Sequence, residues 1–452
     1  MSPEPQESIA EAEKLSPDEL TEAWPALSTE ERMQGFVLLS PHEAEVFVTH
    51  LSPGDAEDLI RALPREQQRR WLRLLPPDDV ADVIQEAPEE ERAEIVGLLD
   101  PPLRDEVRGL LAYAEDVAGG LMNPRYARLR ADMTVSQAIA YLRTQKSHNA
   151  ENIYYGYVVN GANTLVGVVS FRQLVMAPPD KRIDELMTTD LVTVPDTMDQ
   201  EAVSHIFAHH DLYCIPVVDA EGRMKGIVTA DDIVDVVKEE ATEDMQKMGG
   251  TEALDEPYLQ AKLTEIVKKR VVWLIALLLL GFFTVELMSR YQARLSAIAE
   301  FAVLLFFVPL IISCGGNSGS QASTLVVRAM ALGEVRLRDW LVVVRREVLV
   351  GIGLGLIMGC IGLLAALLWN IITQGRMGEH YFAAALAVAT GIVCVALWGT
   401  LAGSMLPFLL RWLKADPASA SAPLVATLVD ASGLAIYFTV AGAVLRALGS
   451  LG

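Results

Sequence analysis

Cysteine is scarce in this chain, with four among 452 residues. Cys214, Cys314, Cys360 and Cys394 never fall at C-x-x-C spacing. That excludes a disulfide framework and a zinc ribbon, and leaves them as small apolar fillers of a reduced cytosolic protein. Positive charge is also in deficit. Lys and Arg number 37 against 59 Asp and Glu, a formal net charge of −22. The chain therefore lacks the basic footprint of a nucleic-acid binder and suits cations or basic partners. No G-x-x-x-x-G-K-[ST] phosphate loop occurs, which removes a self-contained ATPase. The opening MSPEPQESIAEAEKLS is acidic and polar and does not read as a signal peptide.

What is present is divided unevenly. Residues 1–270 carry 26 Lys and Arg and 51 Asp and Glu, whereas residues 271–452 carry 11 and 8, most of them between apolar runs. An acidic soluble half thus precedes a membrane half. Five runs are expected to span a bilayer: 271–289, 298–327 with a polar interruption, 348–369, 381–410 and 421–445. Lys268, Lys269 and Arg270 precede the first run. Arg328, Arg336, Arg338, Arg345 and Arg346 follow the second, and Arg411 and Lys414 follow the fourth. The alternate loops are poorer, with Arg290 and Arg294 in one and Arg376 in the other. This asymmetry places the N-terminal half in the cytosol and the C-terminus outside. Gly351, Gly355 and Gly359 recur at every fourth position of the third run, a signal for close helix packing.

The soluble half contains two repeats. Between residues 15 and 112 a short phrase returns every 11–13 residues or so: LSP at Leu15, LLSP at Leu38, LSP at Leu51, LP at Leu63, LLPP at Leu74 and LLDPP at Leu98. Proline stops one helix and opens the next at its first turn, and the acids that follow suit a helix N-terminus. An all-α array of short helices, superhelical in the manner of a small solenoid, is expected. The second repeat is longer. GGLMNPRYARLRADMTVSQAIAYLR from Gly119 pairs with IDELMTTDLVTVPDTMDQEAVSHIF from Ile183, and YYGYVVNGANTLVGVVSFRQLV with LYCIPVVDAEGRMKGIVTADDIV. Each unit reads as strand, helix, hairpin and helix, with hairpin turns at Asn160 and Asp219. The LM turn, the PVVD strand and the GIVTxxDI passage resemble a tandem cystathionine-β-synthase (CBS) pair. Residues 238–270 are charged and helix-forming, broken at Gly249–Gly250, and read as a connecting helix into the membrane.

Two features of the membrane half point to chemistry. Asp430 is the one charge between Ser421 and Leu445. A carboxylate at bilayer depth costs roughly 2.5–3.5 kcal/mol on insertion scales, so it normally faces a polar pathway or a partner. The run SCGGNSGSQAST, Ser313 to Thr324, brings Asn317, Ser320, Gln321, Ser323 and Thr324 to membrane depth without a charge. Glycines and small polar groups are tolerated there where the backbone is buried in protein or lines a wet cavity. Carboxylate plus neutral oxygens suits a hard cation, Mg²⁺, Ca²⁺ or Mn²⁺, and one that sheds water as reluctantly as Mg²⁺ would be gripped through its hydration shell; the residues alone stop at a hard-cation pathway. A two-fold axis along the pore would supply a second carboxylate.

The run FFVPLIISCGGNSGSQASTLVVRAM and the phrase GSMLPFLLRWLKADPASASAPLVATLVDASGLAIYF resemble the MgtE family of Mg²⁺ channels and transporters. With the upstream order, the resemblance covers nearly the whole chain. It implies a homodimer with five spans per subunit and one pore on the dimer axis, in the cell (inner or plasma) membrane. The implied domains are 1–118 (helical, cytosolic), 119–181 and 182–240 (first and second CBS), 241–270 (connecting or plug helix) and 271–452 (pore). It implies Asp430 as the Mg²⁺-binding pore acid, with Ser320, Thr324 and Asn317 lining the path and backbone carbonyls near Ala426 and Gly433 beside it. It implies a cytosolic Mg²⁺ sensor of Asp78, Asp199, Glu201, Asp211, Asp232, Asp235, Glu240, Glu243 and Asp244, with Glu45 a looser match. CBS pairs of the family can take ATP, and no nucleotide-binding residue is assigned to this chain.

Other classes fit less well. An anion channel gives Asp430 no role. An intramembrane enzyme would want a His or Asp pair inside the spans, whereas Glu286 and His380 sit at span ends. A sensor without transport has no use for SCGGNSGSQAST. The expected function is passive Mg²⁺ import, closed by cytosolic Mg²⁺. The alternative is a broader divalent-cation transporter, for Mn²⁺, Co²⁺ or Ca²⁺, regulated by nucleotide at the CBS pair.

Overall fold

The structure, a computed structural model, describes residues 16–145, 154–254, 258, 261–295, 299–375 and 377–448. The stretch before Ser16, expected to carry no signal peptide, and Arg376 of the loop-charge argument lie outside the described residues. The chain divides into two units, Met1–Glu240 and Ala241–Gly452.

The first unit opens with eight short helices: α1 (Pro17–Ala23), α2 (Thr29–Leu38), α3 (Pro41–Thr49), α4 (Pro53–Ala62), α5 (Arg65–Leu72), α6 (Pro77–Glu86), α7 (Glu89–Leu98) and α8 (Pro101–Leu110). Their N-cap residues are Ser16, Ser28, Ser40, Ser52, Pro64, Pro76, Pro88 and Asp100, one every twelfth position. The four serines each accept the backbone N–H three residues on, satisfying a donor that the helix cannot. In α3, α4 and α6 the fourth, seventh and eighth positions after the cap are buried: Ala44, Phe47 and Val48; Ala56, Leu59 and Ile60; Val80, Val83 and Ile84. The eleventh is buried at Leu63, Leu75, Ala87 and Leu99. This is the apolar stripe of an amphipathic helix, cut to ten residues and restarted.

The same unit continues with α9 (Ala118–Leu121), β1 (Arg128–Leu129), α10 (Val135–Gln145), β2 (Tyr155–Val159), β3 (Leu165–Ser170), α11 (Phe171–Met176), β4 (Val194–Pro195), α12 (Gln200–His210), β5 (Cys214–Val218), β6 (Met224–Thr229) and α13 (Ala230–Met248). The internal repeat is visible in two three-stranded sheets, β1-β2-β3 and β4-β5-β6, each with one parallel and one antiparallel pairing. Both hairpins slip register at the same point, Val158/Val159 and Val217/Val218. The turns are also equivalent. Asn160 accepts from the N–H groups of Ala162 and Thr164, and Asp219 from those of Glu221 and Arg223. Asn163 (φ 62°) and Gly222 (φ 75°) take the left-handed position of each turn. Helices of the array share one core with α12 and the second sheet, through Leu103, Val107, Leu110, Val203, Ile215 and Val228.

The second unit holds the end of α13, then α14 (Leu263–Leu295), α15 (Ala299–Phe306), α16 (Val308–Ala331), α17 (Trp340–Ile372), α18 (Tyr381–Trp412) and α19 (Ala422–Ala447). The connecting segment is not a separate helix. α13 runs on to Met248, stops at Gly249–Gly250, where Gly250 has φ 77°, and helix resumes at Leu263. Four helical stretches among the described residues are long and apolar enough to cross a membrane: Leu263–Gln292, Leu337–Ile372, Tyr381–Trp412 and Ala422–Ala447. The expected second span is instead split into α15 and α16. Its break falls at Phe307, because Pro309 lacks an N–H and fits only a first helical turn. The polar run 313–324, expected to interrupt the span, is helical throughout. The close-packing signal is borne out on α17. A Cβ at Gly355 would stand 2.9 Å from Val393 O, and one at Gly359 2.8 Å from the Val393 side chain, both on α18.

Candidate functional site

The helices α16, α18 and α19 meet through glycine. A Cβ at Gly399 would run into Gly315 O, and one at Gly403 into Gly319 O, so α18 lies backbone to backbone on α16. On the α19 side, a Cβ at Gly316 would stand 3.4 Å from Ala426 Cβ and 3.5 Å from Asp430 Oδ1. The half-buried Asp430 carboxylate therefore faces the polar run of α16 across a position with no side chain. Ser320 donates to Ala422 O at 3.1 Å and Ser323 to Ala420 O at 2.8 Å, tying the same run to the start of α19. Ser318 is buried, with its hydroxyl unpartnered.

The remaining expected pore residues separate. Asn317 is exposed and donates to Ser313 Oγ at 3.3 Å. Thr324 is exposed one turn beyond Ser320. Ala426 is half-buried against Gly316, whereas Gly433 is buried, a Cβ there standing 3.0 Å from Val395 of α18. Gly433 is a packing position in this unit. Gly316, which sequence reasoning did not single out, is the residue that leaves room beside the acid.

The first unit gathers a second group of acids. Asp78 is 7% exposed and its Oδ1 has no hydrogen-bond partner. Burial, with the charges of Asp232 and Asp79, pushes its pKa well above the carboxylate range. One turn later on α6, Asp82 is pushed up to about 8 by burial and then by Asp79 and Asp232. Asp232, at the start of α13, accepts from Thr229 N at 3.0 Å and Thr229 Oγ1 at 2.6 Å. Burial nevertheless raises it too. Like charges collected out of water favour a proton or a cation between them. The structure thus brings Asp78 and Asp232 together and adds Asp82, legible in PDDVAD only as the acid one turn after Asp78. Among the described residues, no three His, Cys, Asp or Glu side chains already converge as a metal site.

The other expected sensor residues have separate local roles. Asp199 caps α12, accepting from the N–H groups of Glu201 and Ala202. Glu201 stands 3.8 Å from His205, and Asp211 ends that helix in the left-handed conformation. Glu240 accepts from Gln200 Nε2 at 2.7 Å, and Glu243 pairs with Lys247. Asp235 and Glu45 are exposed, and Asp244 is half-buried on α13.

Comparison with known proteins draws on the same segments. The MgtE divalent cation transporter profile matches residues 308–440, from the first residue of α16 into α19. The MgtE intracellular N domain matches 15–116, and CBS domains match 114–180 and 183–239. The magnesium transporter MgtE of Thermus thermophilus is 41% identical over 351 residues, covering 78% of this chain and 75% of that one. This chain belongs to the MgtE family. The Enterococcus faecalis and Bacillus subtilis MgtE transporters are 33% and 32% identical, each over 72% of its length and over 75% and 76% of this chain. A solved cytosolic domain of the Mg²⁺ channel MgtE in complex with ATP is 40% identical, with a TM-score of 0.47, and covers 50% of this chain and 91% of that one. Inosine-5'-monophosphate dehydrogenase of Aquifex aeolicus is 26% identical over 29% of this chain, a match that concerns the CBS domains alone. A helical N-terminal domain, a CBS pair and a helical C-terminal region with several apolar helices make up this MgtE chain.

Proposed function

We propose that this MgtE protein is a Mg²⁺ channel of the cell (inner) membrane, passing the ion inward down its electrochemical gradient and closing when cytosolic Mg²⁺ rises. The observation that carries the reading is the carboxylate of Asp430, the one charge between Ser421 and Leu445, set against Gly316 in the polar run of α16. In a homodimer of five spans per subunit, α15 and α16 together forming the second, a two-fold axis would bring two such acids to one path. Ser320, Thr324, Asn317 and the carbonyls near Ala426 and Gly433 would meet the hydration shell of the ion. Moving two charges through 100 mV supplies about 4.6 kcal/mol, so import needs no ATP hydrolysis and the protein is no enzyme. The N-terminal half is cytosolic and the C-terminus outside.

Closure would use the cytosolic acids. Asp78, Asp82 and Asp232 are supported by their grouping, Asp78 buried and the other two half-buried, each raised partly by neighbouring acids; Asp199, Glu201, Asp211, Asp235, Glu240, Glu243, Asp244 and Glu45 are carried by resemblance. Mg²⁺ between opposed carboxylates would draw domains 1–118, 119–181 and 182–240 together and press residues 241–270 on the pore. Mg²⁺ flux into liposomes tests the pathway. Asp430→Asn keeps shape without charge and should reduce flux by at least about tenfold in folded, inserted protein. Normal flux in that variant would end the assignment.

The family description, divalent cation transporter, favours a second reading with Mn²⁺, Co²⁺ or Ca²⁺ as cargo; ATP at the CBS pair as regulator enters that reading by resemblance alone. Flux of each ion at equal concentration, with and without ATP, separates the two.

A further inference from the structure

Lys247 lies in the last turn of α13. Its ammonium is 2.5 Å from Glu243 Oε1 on the same helix and 2.8 Å from Asp416 Oδ2, in the turn that leads into α19. Burial works against the charged lysine, yet hydrogen bonds to Asp416 and Glu243 outweigh it and raise its pKa above the usual value. Asp416 is itself held. Its Oδ1 accepts the N–H of Ala418 at 2.8 Å and caps the short turn Pro417–Ser419. Ala418 and Ala420 of this turn are buried with Val327 of α16, and Met248, the neighbour of Lys247, packs against them. Ser323 and Ser320 of α16 donate to Ala420 O and Ala422 O. One ion pair therefore reaches a turn that grips both helices flanking Asp430.

We propose that Lys247 is a positioning residue of the pore, fastening the end of α13 to the turn that holds α16 and α19. Displacement of α13 then reaches the Asp430 seam through the Lys247–Asp416 contact. This rests on the reading that cytosolic Mg²⁺ closes the pore through residues 241–270. Exposed ion pairs contribute little on average, but this one is partly shielded and bridges two acids. Remove the ammonium and Glu243 and Asp416 face each other as like charges, turning attraction into repulsion. A lysine is also a fixed cation, present at every Mg²⁺ concentration, so it holds the link that metal bridges elsewhere load and unload.

The full chain in liposomes carries the test, with Lys247→Glu, Asp416→Lys and the double exchange Lys247→Glu/Asp416→Lys. Each single reversal should raise the Mg²⁺ concentration for half-closure by roughly tenfold and speed hydrogen exchange at residues 241–254. The double exchange, which restores opposite charges, should return both readouts towards wild type. Lys247→Gln, neutral and of similar reach, should fall between. Single variants with the wild-type closing curve and exchange overturn the proposal, as does a folded double exchange no better than either single. If the wild type itself fails to close with Mg²⁺, the gating reading falls, and the exchange pattern alone decides the link.

Discussion

At position 430 a carboxylate is kept beside a glycine, and at position 82 one is kept beside other carboxylates; the two respond to substitution in opposite ways. Gly316→Ala places a methyl at ordinary contact distance from Ala426 and Asp430, so the protein should fold and keep most of its flux. Gly316→Val fills that space and should cut Mg²⁺ flux strongly with Asp430 intact. Thr324→Val, which removes one exposed hydroxyl and no charge, should cost less than Asp430→Asn in the same assay. Asp82 controls stability instead. Its ordinary pKa is 3.8 and its folded value about 8. Between them the folded chain keeps a proton that the unfolded chain has released, so this acid lowers stability as pH rises, and the loss is complete above about 8. Asp82→Asn should therefore raise the melting temperature more at pH 8 than at pH 6, by roughly 2–4 °C for each kcal/mol recovered. Added Mg²⁺ should narrow the gap. An equal gain at both pH values would show that Asp82 is not the titrating group. Nothing in the sequence marks Asp82 as half-buried among other acids; its only signal is a spacing of one turn from Asp78.

Elements were legible wherever proline or a cap spoke locally. The recurrent LSP, LP, LLPP and LLDPP phrases announce where α1, α3, α4, α5, α6 and α8 begin, since each phrase places the capping residue one position before its helix, whereas Ser28 of α2 and Pro88 of α7 keep the interval without the phrase. Ser28→Ala or Ser40→Ala should each lower stability by about 1 kcal/mol, read by chemical denaturation. The hairpin turns at Asn160 and Asp219 were equally plain, being Asx turns with their own side chains as acceptors. The polar run of α16 misled for a physical reason. Its glycines read as breakers, but Gly315 and Gly319 make the room that lets Gly399 and Gly403 of α18 approach. Gly403→Ala should force those helices apart and lower the yield of folded protein, whereas Gly353→Ala, with nothing near its Cβ position, should be neutral. The true break, at Phe307, needed Pro309 to be weighed above the glycines.

At the scale of the whole molecule, the charge division between residues 1–270 and 271–452 separates two environments in the sequence itself. Pairings between distant residues were not legible. Lys247 and Asp416 are separated by more than a third of the chain, and no local pattern couples them. The acids along α13 allow a collective test. Asp232, Asp235, Glu240, Glu243 and Asp244 changed together to Asn or Gln remove both mutual repulsion and the groups that bridging Mg²⁺ would use. One weak site at ten times its dissociation constant supplies about 1.4 kcal/mol, against the roughly 5.5 kcal/mol needed to move an equilibrium from 1:99 to 99:1. Several sites must therefore act together, and the quintuple variant should stay open at Mg²⁺ levels that close the wild type. Closure over the unchanged range would reduce these acids to surface solvation.

The caps that recur every twelfth residue give the helical array a phase, much as codons give a message a reading frame. Removing residues 52–63 takes out one whole period, and Pro64 then arrives where Ser52 stood, with every later helix still turned to the core. Removing six residues from the same place moves each later cap half a period out of step with its predecessors. Circular dichroism and yield should show the twelve-residue deletion keeping far more helix than the six-residue one. In this region, length changes are absorbed in whole periods, and the smaller cut does the greater damage.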